Sequence, residues 1–178
     1  MTTVSSEEFR ALAARVERIE ARDACMSAFH EYLHYLDGDF LEDLLQVYAP
    51  DAELKVMNFP PGSGKDLLFN GRDEIRELYA AHTAGIGRHH SANTTVNVAP
   101  DLQSAELSAY FITSGAYGFG GGVYQATLCP AAARWQFKQM RIVSTWGWEL
   151  PSETPPYLNE HLGQGALREG KPIVYNPR

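Results

Sequence analysis

Phe29-His30-Glu31-Tyr32-Leu33-His34-Tyr35-Leu36-Asp37-Gly38-Asp39 is where the long helical part of this chain stops. Upstream of it, Leu12, Val16, Ile19, Asp23, Met26, Phe29, Leu33 and Leu36 recur at helical spacing. Ser5 or Ser6 followed by Glu8 supplies N-capping chemistry at the start, and Gly38 breaks the pattern at the end. A shorter helix is expected over Phe40–Tyr48, stopping before Pro50, and Asp39 is placed to cap it. Ala52–Met57 alternates as a strand, residues 58–65 read as a loop, and Gly71-Arg72-Asp73 leads into a third helix from Glu74 to about Ala84. The pattern then becomes β. Thr94–Ala99, Ala105–Ser114, Val123–Cys129 and Trp135–Trp148 are candidate strands, with turns at Pro100-Asp101 and Pro130-Ala131. Helices first and sequential antiparallel strands after them imply an α+β domain, its helices on one face of a curved, mainly antiparallel sheet.

Composition narrows the function classes. At 178 residues the chain suits one domain with a sizeable core. A formal charge of −7 disfavours nucleic acid and anionic membrane surfaces, both of which select clustered cations. Cys25 and Cys129 are too few and too far apart for a disulfide framework or a zinc ligand set, so both are read as reduced, packed thiols and no metal is expected. The acidic N-terminus lacks the apolar core of a signal peptide, and no apolar run reaches the roughly 20 residues of a membrane span, so a cytoplasmic protein is expected. Gly118-Phe119-Gly120-Gly121-Gly122 superficially suggests a phosphate loop. It lacks the following Lys-Ser/Thr and feeds a strand, so it reads as a flexible hairpin connection.

The ordered combination is more specific than any of its parts. Two helices ending in Leu36-Asp37-Gly38-Asp39 are followed by Tyr48-Ala49-Pro50-Asp51-Ala52-Glu53 and Gly71-Arg72-Asp73-Glu74-Ile75. His89 with Asn93 comes next, then strands ending in an aromatic run. This order resembles the SnoaL-like branch of the nuclear-transport-factor-2-like superfamily, over residues 1–150. The resemblance implies a cone-shaped α+β barrel (a cystatin-like roll), and leaves 151–178 as a tail packing on the pocket or on a neighbouring subunit.

The nearest catalytic pattern is similar to that of scytalone dehydratase, bile-acid dehydratase and hexachlorocyclohexane dehydrochlorinase. Carried over, it makes His89 a general base, Asp37 its orienting partner and Tyr32 a phenolic donor. The chemistry is sound in its own right. An imidazole with an ordinary pKa near 6.5 accepts protons at neutral pH, and a carboxylate on one ring nitrogen leaves the other free as acceptor. No cofactor is required. Where scytalone dehydratase has a second histidine and a tyrosine, this chain has Thr113 or its neighbours and Val56, so the source of a second proton is open.

Alternation along the last strand puts Met140, Ile142, Ser144, Trp146 and Trp148 on one face. With Thr113, the residues Met140, Ile142, Ser144 and Trp146 are the candidate lining of a pocket for a small hydrophobic, aromatic or polycyclic substrate. Lignin-derived, polyketide-like and steroid-like compounds are of this kind. His90 would face the opposite way from His89, and His30, His34, His82 and His161 are assigned to surface or interface. The expectations are a cofactor-independent lyase (dehydratase, dehydrohalogenase or aldehyde-releasing type) or, alternatively, an isomerase/cyclase or a non-catalytic ligand-binding module. The resemblance further implies a homo-oligomer, trimer or dimer.

Overall fold

The computed structural model describes residues 5–59, 62–81, 87–115, 118–132 and 134–149. The tail 151–178, His82 and His161 lie outside them, as does the side chain of Trp148.

No glycine or proline interrupts Ser6–Asp37, and this stretch is a single helix, α1, of 32 residues rather than two. Its length is roughly 48 Å at 1.5 Å per residue. Ser5 closes a capping box: its hydroxyl accepts from the Glu8 N–H at 3.2 Å, and the Glu8 carboxylate accepts from the Ser5 N–H at 2.8 Å. At the other end the Gly38 N–H donates to the His34 carbonyl at 3.0 Å. A side chain at Gly38 would meet the Phe40 ring at 2.7 Å, so the chain turns there with no room to spare.

Helix α2 spans Leu41–Gln46, shorter than expected, because β1 already begins at Tyr48 and runs to Met57. Asp39 does not cap α2. It sits in the left-handed region (φ 58°), and Phe40 occupies the N-cap with no side-chain bond. Pro50 falls inside β1, in the irregular stretch between Tyr48 and Glu53 where the ladder with its neighbour shifts register. A four-residue strand, β2 (Leu67–Asn70), was not anticipated. It folds back on β1 and leads into α3 (Gly71–Ala80), which starts earlier than expected and stops short of Ala84. Arg72 explains the Gly-Arg-Asp signature: its guanidinium donates twice to the Tyr48 carbonyl, at 2.9 and 2.6 Å, tying α3 to the start of β1. The Arg76–Glu42 ion pair adds a link from α3 to α2.

The remaining strands are β3 (Gly87–Val98), β4 (Ala105–Gly115), β5 (Gly118–Ala131) and β6 (Arg134–Glu149). The sheet order is β2-β1-β6-β5-β4-β3, antiparallel throughout except for the parallel β1–β6 pair. The fold is the expected α+β architecture. One segment differs. The glycine run is not a loose connection but the start of β5, paired with β4 on one side and β6 on the other.

Cross-strand register divides the sheet into two faces. On the inner face successive rows are His89–Thr113–Gly120–Gly147, then Ser91–Phe111–Gly122–Ser144, then Ala109–Tyr124–Ile142–Val56. The C-terminal half of α1 covers this face with Ala21, Cys25, Ala28, Phe29, Tyr32, Leu33 and Leu36.

The register slips by one residue at Thr145, where Gly122 opposes Ser144 but the adjacent Gly121 opposes Trp146. A one-residue bulge reverses the side-chain phase beyond it. Trp146 therefore leaves the inner face. It stands 46% exposed beside Ile112, with its ring over Gly121, where a Cβ would lie 2.6 Å from it. The same bulge leaves no space at Gly122, whose Cβ would meet the Val143 carbonyl oxygen at 1.9 Å. Gly122→Ala should therefore destabilise the domain by about 2–3 kcal/mol, as overpacking against backbone does. Urea unfolding followed by fluorescence measures this; a midpoint equal to wild type would refute the packing assignment.

Candidate active site

The C-terminus of α1 and the beginning of β3 meet at one end of the inner face. Asp37, the last residue of α1, spans 52 residues of sequence to reach His89. One carboxylate oxygen accepts the His89 backbone N–H at 3.0 Å, and the other lies 2.6 Å from His89 Nδ1. A carboxylate offers only acceptors, so the proton of that bond sits on Nδ1, and in the neutral ring the lone pair is on Nε2. Among the described residues Nε2 has no hydrogen-bond partner. The two side chains retain 12% and 14% exposure respectively, so the ring is shielded but reachable. Gripping both the backbone and the ring fixes the imidazole plane as well as its position. Hydrogen bonds to charged groups of this kind contribute about 1.5–3 kcal/mol each.

The neighbouring histidine separates cleanly. His90 pairs with Ile112 on the outer face and is exposed, while His89 pairs with Thr113 on the inner one. His30 and His34 are exposed on α1.

Across from His89 the wall carries few side chains, since Gly120 and Gly147 complete its row and Gly122 stands in the next. Thr113 Oγ1 lies 3.2 Å from where a Gly120 Cβ would be, and so fills part of that gap. Ser144 is buried and its carbonyl accepts from Asn58 Nδ2 at 2.8 Å. Asn58 (φ 55°) also accepts from the Gly62 and Gly64 N–H groups through Oδ1, at 3.0 and 3.1 Å, fastening the adjoining loop to β6. Ile142 is half-buried, and Met140 is buried deeper along the same face. Of the expected lining, Thr113, Ile142, Ser144 and Met140 share the His89 face. Trp146 does not, because of the bulge.

Tyr32 has company that the sequence did not disclose. Tyr32, Tyr48, Tyr79 and Tyr124 are all buried, and their rings meet at centroid distances of 5.8–6.4 Å around Tyr32. The Tyr79 hydroxyl donates to Tyr32 at 3.2 Å and lies 2.9 Å from the Tyr48 hydroxyl, which also reaches Met140 Sδ at 3.3 Å. Tyr32 accepts in its bond with Tyr79, so its own proton is not used there. Burial pushes Tyr32 up to about 12, against the opposing pull of hydrogen bonds with Tyr79, Tyr124 and Tyr48; the nearby Asp37 charge adds to the rise. Burial also raises Tyr48, Tyr79 and Tyr124 well above the ordinary phenol value. Spacing could not have gathered these residues, since they come from α1, β1, α3 and β5.

A recess of ≈ 340 Å³ lies elsewhere, on the outer face among Thr95, Glu106, Gln125 and Arg141. It is polar and on the opposite side of the sheet from His89. Among the described residues no group of three or more His, Cys, Asp or Glu could hold a metal ion, and no helix is long and apolar enough to cross a membrane. Cys25 and Cys129 are free thiols, and burial raises Cys25 to about 12.

A helix-covered curved sheet with a His–Asp pair at one end defines a cystatin-like α+β protein with a candidate acid–base site. The profile of the SnoaL-like domain matches residues 17–141, and the chain belongs to that family. No curated protein sequence matches it. Solved structures share the fold at low identity. The hexachlorocyclohexane dehydrochlorinase LinA-type3 of Novosphingobium barchaimii LL02 is 16% identical, with a TM-score of 0.65 over 80% of this chain and 99% of that one. A candidate scytalone dehydratase of Novosphingobium aromaticivorans DSM 12444 is 18% identical, TM-score 0.61, over 80% and 94%. An NTF2-like protein with a cystatin-like fold, also from N. aromaticivorans, is 19% identical, TM-score 0.64, over 80% and 92%.

The phenol cluster sets a pH limit on the fold. A phenol whose pKa is higher folded than unfolded stabilises the native state below about pH 10 and ceases to do so as pH rises towards the folded value. Above pH 10 the unfolded chain holds fewer protons than the folded one. Stability should then fall by about 1.4 kcal/mol per pH unit for each withheld proton. Tyrosinate absorbance followed from pH 9 to 12.5 should show a fast phase from exposed tyrosines and a second phase coincident with loss of helix. Complete ionisation of all nine tyrosines before any loss of helix would contradict the assignment.

Proposed function

We propose that this protein is a cofactor-independent lyase that uses His89 to remove a proton from a small hydrophobic, aromatic or alicyclic substrate. The observation that carries the reading is the two-point grip of Asp37 on His89, which holds Nδ1 as donor and leaves Nε2 as acceptor. For elimination, Nε2 takes a proton from carbon, the electron pair of the broken C–H bond forms a double bond, and halide or hydroxide, the latter protonated to water, departs with its bonding pair. For aldehyde release, Nε2 takes a hydroxyl proton, the O–H pair forms the C=O of the departing fragment, and the C–C pair stays on the remaining carbon, which is then protonated. Asp37 orients the ring and stabilises the imidazolium that forms. Thr113, Ile142, Ser144 and Met140 are the residues proposed to shape the substrate side, apolar enough to favour a ring system over an anion.

Proton return to a leaving oxygen is assigned to Tyr32. It accepts from Tyr79, and as the member of the phenol cluster contributed by the helix that ends in Asp37 it is the one proposed to donate. The family likeness to a dehydrochlorinase and a candidate scytalone dehydratase agrees with elimination chemistry. Hydroxylated aromatic compounds of plant or polyketide origin are the substrates proposed, with a catabolic role in the cytoplasm as part of the same proposal. Isomerisation is the second reading. It is favoured by the absence, among the described residues around His89, of a second histidine or carboxylic acid beyond Asp37.

The test needs no knowledge of the natural substrate. 2-Tetralone, a bicyclic ketone with acidic benzylic protons, serves as probe, and its deuterium exchange in D₂O is followed by NMR. Wild type should accelerate exchange. His89→Gln and Asp37→Asn should lower the rate by about 10²–10⁴-fold, the usual scale of positioned acid–base catalysis, and His90→Gln should leave it unchanged. Exchange retained in the His89 and Asp37 variants would overturn the dyad. Binding of 2-tetralone without acceleration by wild type would make the protein a ligand-binding module.

A further inference from the structure

The first four turns of α1 carry an apolar stripe that their own domain does not use. Phe9, Leu12, Val16 and Ile19 are 67%, 56%, 43% and 62% exposed. Every residue from Ser6 to Glu20 is exposed except the half-buried Ala13. The intervals of three, four and three are those of a coiled-coil seam, narrower than the face of a helix lying on a sheet. At 100° per residue the stripe is centred about 160° around the helix from the set that α1 buries, Ala21 to Leu36. It therefore points away from its own sheet. A helix of this length alone in water is marginal.

We propose that this stripe pairs with the same stripe of a second copy of the chain, forming a short, parallel, in-register coiled coil. Charge selects that occupant and that direction. With Phe9 and Val16 at a positions and Leu12 and Ile19 at d positions, Arg15 is a g residue and Glu20 the e residue of the following heptad. In a parallel pair Arg15 faces Glu20 of the partner subunit, twice over by symmetry. An antiparallel pair that aligned Leu12 with Val16 of the partner subunit would instead bring the two Arg15 side chains together.

Two further observations agree. The next a position is the exposed Asp23, and Met26 after it already packs on its own core, so the seam ends where the domain begins. The buried face of α1 lies opposite the seam, so two domains extend outwards from the coil without collision. The proposal is independent of the catalytic reading.

Sedimentation velocity on the full chain across a concentration series tests it. Wild type should associate in a concentration-dependent way, as two heptads would. The double variant Leu12→Asp/Ile19→Asp should sediment as a monomer with the domain's thermal transition kept. In a Cys129→Ser background, Ile19→Cys should form a disulfide-linked pair under mild oxidation, and Ala14→Cys, on the far side of the helix, should not. A monomeric wild type overturns the proposal. So does association that survives the double variant but is lost on removing 151–178, or cross-linking only when Leu12→Cys and Val16→Cys chains are mixed.

Discussion

One helix closes one sheet, and the inner face depends on how that helix ends. The C-terminal half of α1 fills the concavity with Phe29, Tyr32, Leu33 and Leu36, and its final residue bonds to the first turn-in of β3. Asp37 does two things through one carboxylate. It anchors a backbone N–H, which fixes where β3 enters the sheet, and it anchors the ring on the same residue. Packing and chemistry thus share a single constraint. Any shift of α1 along its axis would break both bonds at once, so the apolar contacts further down the helix hold the imidazole in place.

The depth of the inner face has its own logic. Near His89 the wall is glycine-rich and thin. Further in it is dense with aromatic rings, Phe111 and Tyr124 being 4.5 Å apart between centroids and Tyr32 meeting Tyr124, Tyr48 and Phe137 edge to face. Four phenols can be buried there only because each finds a partner, and among the described residues no buried side-chain polar atom is left unpaired. The cluster is a polar thread through an apolar core, and its low dielectric surroundings are what keep every member protonated.

Much of this was legible in the chain. The helix-then-strand order gave the architecture. Asp37 was singled out over Asp39 by the family resemblance, and the helical pattern running to Leu36 showed only that it closes the helix. Other features lay beyond a local reading. Two-residue alternation carried Trp146 onto the His89 face because a bulge leaves no mark in a count of every second residue; only the register with Gly121 and Gly122 exposes it. The glycine run looked like a turn since glycine is the usual turn residue, yet here the Trp146 ring and the Val143 carbonyl exclude side chains from a strand. The helical stripe from Leu12 to Leu36 read as one face. It is two, because a seven-residue repeat drifts around a helix of 3.6 residues per turn, and the faces separate once the core claims only the second half. Tyr48, Tyr79 and Tyr124 carry no signal that would group them, because convergence of three elements cannot be seen from spacing.

The order of strands has a consequence for how the domain comes into being. β6 lies between β1 and β5, with Glu53 paired to Gln139 on one side and Thr127 to the same Gln139 on the other. Among the described strands it is also the last to leave the ribosome. Until Arg134 and its successors emerge, the sheet consists of two fragments joined only through the helices, a β2–β1 hairpin under α3 and a β3–β4–β5 meander, each with an open edge facing where β6 belongs. The parallel joint with β1 closes a long loop late, after its entropy cost has already been incurred. Edges left waiting in this way are the surfaces through which nascent β proteins misassociate. Closure of the sheet therefore waits for residues 134–149, whichever of the earlier elements have formed by then.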